Sequence, residues 1–248
     1  MPLELVTLRC LRDNYAYLLH GPEGTILIDA PEAMPILTEL EARGWGLDAI
    51  LLTHHHDDHI QGVEAIVAKT GARVIGAEAD AHRLPHLDQQ VRPDQSLQLL
   101  GQQIDVIDVS GHTVGHVAFY FPQSGHAFTA DSLMAMGCGR LFEGDPDMMW
   151  ASLSRLAALP NDTLICSGHD YCAANGAFAL SVDPENAELQ QRLSDVQASR
   201  TPCAPATLEL EKATNPFLRV NALRGRLDMQ GADDAQVFAR LRKMKDEF

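Results

Sequence analysis

Positive charge, aromatic residues and cysteine are all scarce in this chain. Nineteen Lys and Arg stand against 34 Asp and Glu, for a formal charge of -15 over 248 residues. That balance argues against nucleic acid or an anionic membrane as a default partner, because phosphate-rich surfaces repel it. No run of about 18 apolar residues occurs, so no membrane-spanning helix is expected. Met1-Pro2-Leu3-Glu4 carries no cationic segment leading into a long apolar stretch, so no secretory signal is expected either. The five cysteines form no CxxC pair, and their odd number argues against a disulfide framework. A reducing, cytoplasmic setting is the expectation. Internal repeats and low-complexity segments are absent. Apolar residues, by contrast, make up 46% of the chain, enough for one large domain or a domain with an appendage.

The densest chemistry lies in Thr53-His54-His55-His56-Asp57-Asp58-His59. The apolar run Ala49-Ile50-Leu51-Leu52 before it predicts a buried strand, and Ile60 to Lys69 after it predicts a helix. The cluster therefore falls at the carboxyl end of a strand, where open α/β sheets place their ligands. Three more apolar runs end in residues of metal-ligand type. These are His112 in Gly111-His112-Thr113-Val114-Gly115-His116, Asp131 after His126 to Ala130, and His169 after Asp162 to Cys166. Side chains on neighbouring strand ends can converge, so His54, His56, Asp58, His59, His112, Asp131 and His169 form the candidate ligand set. A catalytic zinc takes about three protein ligands plus water. Seven ligands suit two ions, with one carboxylate bridging. Imidazole and carboxylate without thiolate admit zinc, iron or manganese.

Each piece also has a plainer reading. A histidine-rich run can be incidental or can hold one structural zinc, and His112, Asp131 or His169 alone is as easily a turn residue. His116 reads as a packing or supporting residue. His55 and Asp57 face away from the ligands or support them, since alternate residues of an extended segment point to opposite sides. His20, His82, His86 and His126 read as ordinary surface or packing residues.

Elsewhere, strands are expected at Leu3–Leu8, Tyr15–Leu19, Thr25–Asp29, Arg73–Gly76 and Val117–Phe121, with a hairpin about Gly101. Helices are expected over Glu32–Arg43 and from Asp145-Pro146 to Leu159. Residues 80 to 94 read as a loop with short helical pieces. Past Tyr171 the expectation is a helix opened by Asp183-Pro184, a break over Thr201–Pro205, an extended corner at Asn215-Pro216-Phe217, a last helix from Asp234 and no strand. The domain boundary is expected near residue 170, giving a catalytic domain over 1–170 and a helical substrate-binding domain over 171–248.

The spacing His54-x-His56-x-Asp58-His59 with His112, Asp131 and His169 resembles the metallo-β-lactamase superfamily. Asp13-Asn14-Tyr15, Gly137-Cys138-Gly139-Arg140-Leu141-Phe142-Glu143-Gly144, Gly168-His169-Asp170-Tyr171, Asn215-Pro216-Phe217-Leu218-Arg219 and Arg242-Lys243-Met244-Lys245-Asp246 resemble glyoxalase II within it. The resemblance implies an α/β fold, an αββα sandwich with a small C-terminal helical domain. It implies a binuclear hydrolase of glutathione thioesters, above all S-D-lactoylglutathione, using two zinc ions or else iron or manganese. One ion would take His54, His56 and His112, the other Asp58, His59 and His169, and Asp131 would bridge, with Asp58 and Asp131 acting in the chemistry. Arg140, Phe142, Tyr171, Arg242 and Lys245 match the positions that hold glutathione. The chain departs from the family pattern in Arg140 for lysine, Phe142 for tyrosine and Ala130-Asp131-Ser132 for Gly-Asp-Thr. The expected partner is a small molecule, with no nucleic acid or membrane, and the chain is expected to act as a monomer. Rival readings are a one-iron persulfide dioxygenase, a lactamase or lactonase, and a silent metal-binding module.

Overall fold

The computed structural model describes residues 3–199 and 203–248. Met1-Pro2, and Thr201-Pro202 of the expected break, lie outside the described residues. The chain divides into two compact units: Met1–Asp108 with Gly115–Phe128, and Val109–Val114 with Thr129–Phe248.

The first unit starts with an antiparallel meander of β1 (Glu4–Cys10), β2 (Asn14–Gly21) and β3 (Gly24–Ile28). The sheet continues in parallel through β4 (Ala49–Leu52), β5 (Arg73–Ala77) and β6 (Gln89–Val91), in the order β1-β2-β3-β4-β5-β6. Parallel neighbours need a crossover, which α1 (Ala33–Arg43) supplies between β3 and β4. Between β4 and β5 run α2 (Asp57–Ile60) and α3 (Val63–Thr70). All four residues of β4 are buried, as a strand covered on both faces requires. Leu18, Leu27, Ile50 and Leu52 pack there with Ile36, Leu40 and Ile66. Gly44 and Gly71 close α1 and α3 at φ 66° and 71°, the left-handed turn that glycine adopts without a Cβ clash.

In the same unit β7 (Ser96–Leu99) and β8 (Gln102–Asp108) form the hairpin expected about Gly101. Leu100 and Gly101 both have positive φ, as the tight two-residue turn demands. Next come β9 (Val117–Phe121), antiparallel to β8, and β10 (His126–Ala130), which pairs with β9 from His126↔Phe121 to Phe128↔Phe119. The Val117 amide donates to the Thr53 carbonyl at 3.0 Å, tying the start of β9 to the end of β4. The stretch 80–94, expected as a loop, includes the short strand β6.

The second unit holds a two-residue-strand hairpin of β11 (Leu133–Met134) and β12 (Gly137–Cys138), then α4 (Pro146–Ala157). Asp145 caps α4 by accepting from the Met148 amide at 2.8 Å, with Pro146 at the first helical position. After β13 (Leu164–Ser167) come α5 (Cys172–Val182), α6 (Ala187–Ser199), β14 (Ala206–Thr207), α7 (Leu208–Thr214), α8 (Val220–Leu223) and α9 (Asp234–Glu247). The rings of Phe178, Phe217 and Phe238 meet in sequence, at 5.9 and 5.7 Å between centroids. The family-level architecture holds: mixed sheets with helices, and a helical C-terminal region.

Several local expectations are corrected. A strand does follow His169, since β14 pairs antiparallel with β13. Helix α5 escapes sequence reading because it is apolar around most of its circumference, so no amphipathic stripe marks it. The Asp183-Pro184 signal does not open a helix, because the Asp183 carboxylate already accepts from Asn186 Nδ2 and Arg219 Nε. Asn186 caps α6 instead, accepting the Leu189 amide at 3.1 Å. Finally, Cys172 and Cys203 are paired, with Cα atoms 6.3 Å apart, a single bridge where the odd cysteine count argued against a disulfide framework. Cys10, Cys138 and Cys166 are buried free thiols. Among the described residues no helix is long and apolar enough to cross a membrane.

Candidate metal centre

Four expected ligands lie together in the first unit. β4 delivers Thr53 and His54, the chain stays extended to His56, and α2 turns Asp58 and His59 inward. The His54 ring lies 4.8 Å from His56, 4.2 Å from His59 and 4.5 Å from His116, on which it stacks. His54, His59 and His116 are fully buried.

Hydrogen bonds fix which ring nitrogen is exposed as a donor pair. Asp29, at the end of β3, accepts the Thr53 amide at 2.9 Å through Oδ1, and the Thr53 hydroxyl and His59 Nδ1 at 2.8 Å each through Oδ2. The Thr53 hydroxyl spends its proton on Asp29, so toward His54 Nδ1, 3.0 Å away, it accepts. His54 and His59 therefore both carry the proton on Nδ1 and present the Nε2 lone pair, the tautomer a metal needs. Asp29, His54 and His59 have donor atoms within 4.8 Å of one another. With both oxygens committed, Asp29 orients ligands rather than binding an ion itself. Its φ of 55° is a left-handed conformation that aspartate tolerates. Asn14 Nδ2 donates to Asp58 Oδ2 and to its carbonyl, both at 3.0 Å, and so sets that carboxylate. His55 turns to the buried Asp80, Nδ1 to Oδ2 3.1 Å, and Arg83 pairs with the other oxygen. His55 thus supports the turn.

The other three expected ligands lie together in the second unit. His112 Nδ1 donates to the Arg140 carbonyl at 2.7 Å, which directs its Nε2 toward Asp131. His112 Nε2 and His169 Nε2 lie 3.4 and 3.3 Å from the same oxygen, Asp131 Oδ2. Those separations exceed an ordinary N–H···O bond of about 2.9 Å. They match two ligands each about 2.1 Å from a shared tetrahedral ion. Gly139 permits the approach, because a Cβ there would lie 1.9 Å from the Asp131 carbonyl and 3.1 Å from His112 Nδ1. In both units the donor set fits a divalent ion: buried imidazoles in the right tautomer, with carboxylates at hand.

Ala130, just before Asp131, sits at φ 40°. A left-handed conformation costs a residue with a Cβ about 1 kcal/mol that glycine escapes. We expect Ala130→Gly to raise unfolding free energy by about 0.5–1 kcal/mol, read as a higher denaturant midpoint at constant slope. A lower midpoint would show that the neighbouring structure needs the methyl group.

The expected substrate residues divide. Phe142 and Tyr171 are exposed, Phe142 edge-on to the His112 ring and Tyr171 stacked on His169 at 4.7 Å. Arg140 is exposed, 3.5 Å from Asp246 Oδ1. Lys245 donates to the Ala174 carbonyl at 2.9 Å, and burial, then the nearby Arg242 charge, lowers its pKa. Arg242, expected only as a cation of the last helix, is buried. It is 5% exposed, lies over the Phe217 ring, and donates to the Cys138 carbonyl and to Asp246 Oδ1, both at 2.9 Å. Of the histidines read as ordinary, His20 stacks on Trp45, and burial lowers the pKa of His126.

Asp29 and Asn14 are the functional residues that sequence reasoning missed as such. Asp29 is legible only as the residue ending a strand, and Asn14 only as part of the Asp13-Asn14-Tyr15 resemblance, with no role attached.

Comparison with known proteins follows this geometry closely. Residues 11–169 match the model of the metallo-beta-lactamase superfamily, and residues 170–248 match that of the hydroxyacylglutathione hydrolase C-terminus. The hydroxyacylglutathione hydrolase of Ruegeria pomeroyi is 57% identical over 255 aligned positions, covering 100% of both chains. Among solved structures, TTHA1623 in a di-iron-bound form superposes with TM-score 0.62 at 31% identity, covering 87% of this chain and 100% of that one. ETHE1 from Myxococcus xanthus superposes with TM-score 0.67 at 22% identity, over 98% of this chain and 90% of that one, a likeness of fold. By full-length identity and by both matched models, the chain belongs to the hydroxyacylglutathione hydrolase family of the metallo-β-lactamase superfamily.

Proposed function

We propose that this chain hydrolyses S-(2-hydroxyacyl)glutathione thioesters at a binuclear centre, S-D-lactoylglutathione first among them, to glutathione and D-lactate. The observation that carries this reading is the Asp131 carboxylate oxygen facing two imidazole nitrogens at metal-ligand spacing, in a chain whose full-length relatives bear the hydrolase name. His54, His56 and His112 would hold one ion, Asp58, His59 and His169 the other, and Asp131 both. Zinc suits imidazole and carboxylate donors, and iron or manganese does too. The di-iron form of TTHA1623 supports iron as an acceptable occupant. Two bound ions supply a water acidified to near-neutral pKa and a polarised carbonyl.

The chain's own residues do the rest. Asn14 donates to Asp58 Oδ2 and so orients the carboxylate that would help hold the second ion. Asp29 and Arg140 keep His59 and His112 in the ligating tautomer. A thiolate leaves without a dedicated general acid, so no serine or cysteine nucleophile is required. The glutathionyl carboxylates would meet Arg140 and Lys245, and Phe142 and Tyr171 would flank the acyl group. Residues 1–170 would then carry the chemistry and 171–248 the substrate binding. The chain would act as a cytoplasmic monomer.

Purified protein should hydrolyse S-D-lactoylglutathione with close to two ions per chain. Oxygen uptake with a persulfide substrate and one iron per chain would instead support the dioxygenase reading. Arg140→Ala and Lys245→Ala should each raise KM about tenfold with kcat within about twofold, since they remove binding common to ground and transition states. The lowered pKa of Lys245 adds a pH signature: its charge is present below that pKa and lost above it. KM should therefore rise with pH below the ordinary lysine range, and Lys245→Arg should abolish the rise. A KM independent of pH and of both substitutions would remove these residues from substrate binding.

A further inference from the structure

The hairpin of β11 and β12 lies between two elements of the ligand set, and it cannot hold itself. Two residues per strand are too few for a stable pair, and the turn residue Met136 has a φ of 53°. Its backbone is satisfied instead by buried side chains from the helical part of the second unit. The Met136 amide donates to Glu211 Oε2 at 2.9 Å. The Ala135 carbonyl accepts from Asn175 Nδ2 at 3.1 Å. The carbonyls of Met134 and Gly137 accept from Asn215 Nδ2 at 3.0 and 2.9 Å. The Cys138 carbonyl accepts from Arg242. Glu211 and Asn215 are fully buried, and Arg192 pairs with the other oxygen of Glu211 at 2.5 Å.

Both ends of this hairpin reach ligands. Gly139 donates to the Ser132 carbonyl at 3.1 Å, and a Cβ on it would lie 1.9 Å from the Asp131 carbonyl. The next carbonyl, Arg140, is the acceptor that orients His112. A shift of the hairpin would therefore move the Asp131 backbone and the His112 acceptor together. A buried ion pair is a poor source of net stability compared with apolar packing, so Arg192–Glu211 is better explained by the geometry it imposes.

We infer that Glu211 and Asn215 are positioning residues for Asp131 and His112, through which the helical region sets the metal affinity and kcat of the centre. This rests on the reading of those two residues as ligands. The test compares two double variants in the zinc-loaded protein. Arg192→Met with Glu211→Gln keeps an acceptor for the Met136 amide, whereas Arg192→Met with Glu211→Leu removes it. Chelator competition should show the first within about twofold of wild type and the second about tenfold weaker for zinc, with kcat reduced and KM unchanged. Asn215→Ala should move the same way as the leucine variant. Equal zinc affinity in the glutamine and leucine variants would overturn the inference. A wild-type chain that retains no zinc would instead remove the ligand reading itself. Should the variants not fold, hydrogen exchange on the wild type decides. Coupling is reciprocal, so the Met136 amide must exchange more slowly with zinc bound than after chelation. Equal exchange would overturn the clamp.

Discussion

Asp131→Ala should give a folded chain that no longer retains its full metal complement and turns over about a thousandfold more slowly. The expected loss follows from position. One oxygen of this carboxylate faces His112 Nε2 and His169 Nε2 at 3.4 and 3.3 Å, and no other carboxylate in the second unit's set faces both. Removing it takes away the one anionic donor there. A loss of about 4 kcal/mol of transition-state stabilisation corresponds to a factor of about a thousand. The fold should survive because backbone contacts, not the carboxylate, shape the segment. Ser132 donates to the Thr129 carbonyl, Gly139 to that of Ser132, and Gly168 to that of Ala130. Circular dichroism, metal analysis and turnover on one preparation check all three parts. Wild-type turnover in a metal-free Asp131→Ala protein would remove the mechanism.

Asp29→Ala carries the second large effect, and it falls on affinity and stability together. Asp29 is 3% exposed and accepts three hydrogen bonds from Thr53 and His59. Without it the buried Thr53 amide has lost its acceptor, at a cost of about 1–3 kcal/mol. His59 loses the group that holds its proton on Nδ1, and the Thr53 hydroxyl is released to donate toward His54. Loss of such orienting partners weakens metal binding about 10- to 100-fold. We expect a lower denaturant midpoint and weaker zinc retention in the chelator assay, with Asp29→Asn intermediate because its amide keeps one acceptor. A stable Asp29→Ala protein with unchanged zinc affinity would show that the tautomers of His54 and His59 are set some other way.

The contrast between these two aspartates shows what the sequence carries. Asp131 was legible because it ends an apolar run and belongs to a spaced set of ligand-type residues. Asp29 also ends an apolar run, yet its partner Thr53 is 24 residues away, and only the parallel pairing of β3 with β4 sets them side by side. Arg242 was legible as a cation on the last helix but not as a buried one. Its burial depends on the Cys138 carbonyl, 104 residues earlier, needing a donor. The caps behaved likewise. Asp145 worked as read because nothing else claims its oxygens, whereas Asp183 failed because Arg219 and Asn186 do. Local chemistry reads off the chain well; long-range hydrogen-bond demand does not.

The central claim is that His54, His56, Asp58, His59, His112, Asp131 and His169 hold one pair of ions. Anomalous-difference maps from crystals of the zinc- or iron-loaded protein test it directly. The account predicts two peaks about 3.5–4 Å apart, both within bonding distance of Asp131, one joined by His54, His56 and His112 and the other by Asp58, His59 and His169. A single peak, or two peaks remote from each other, would contradict it.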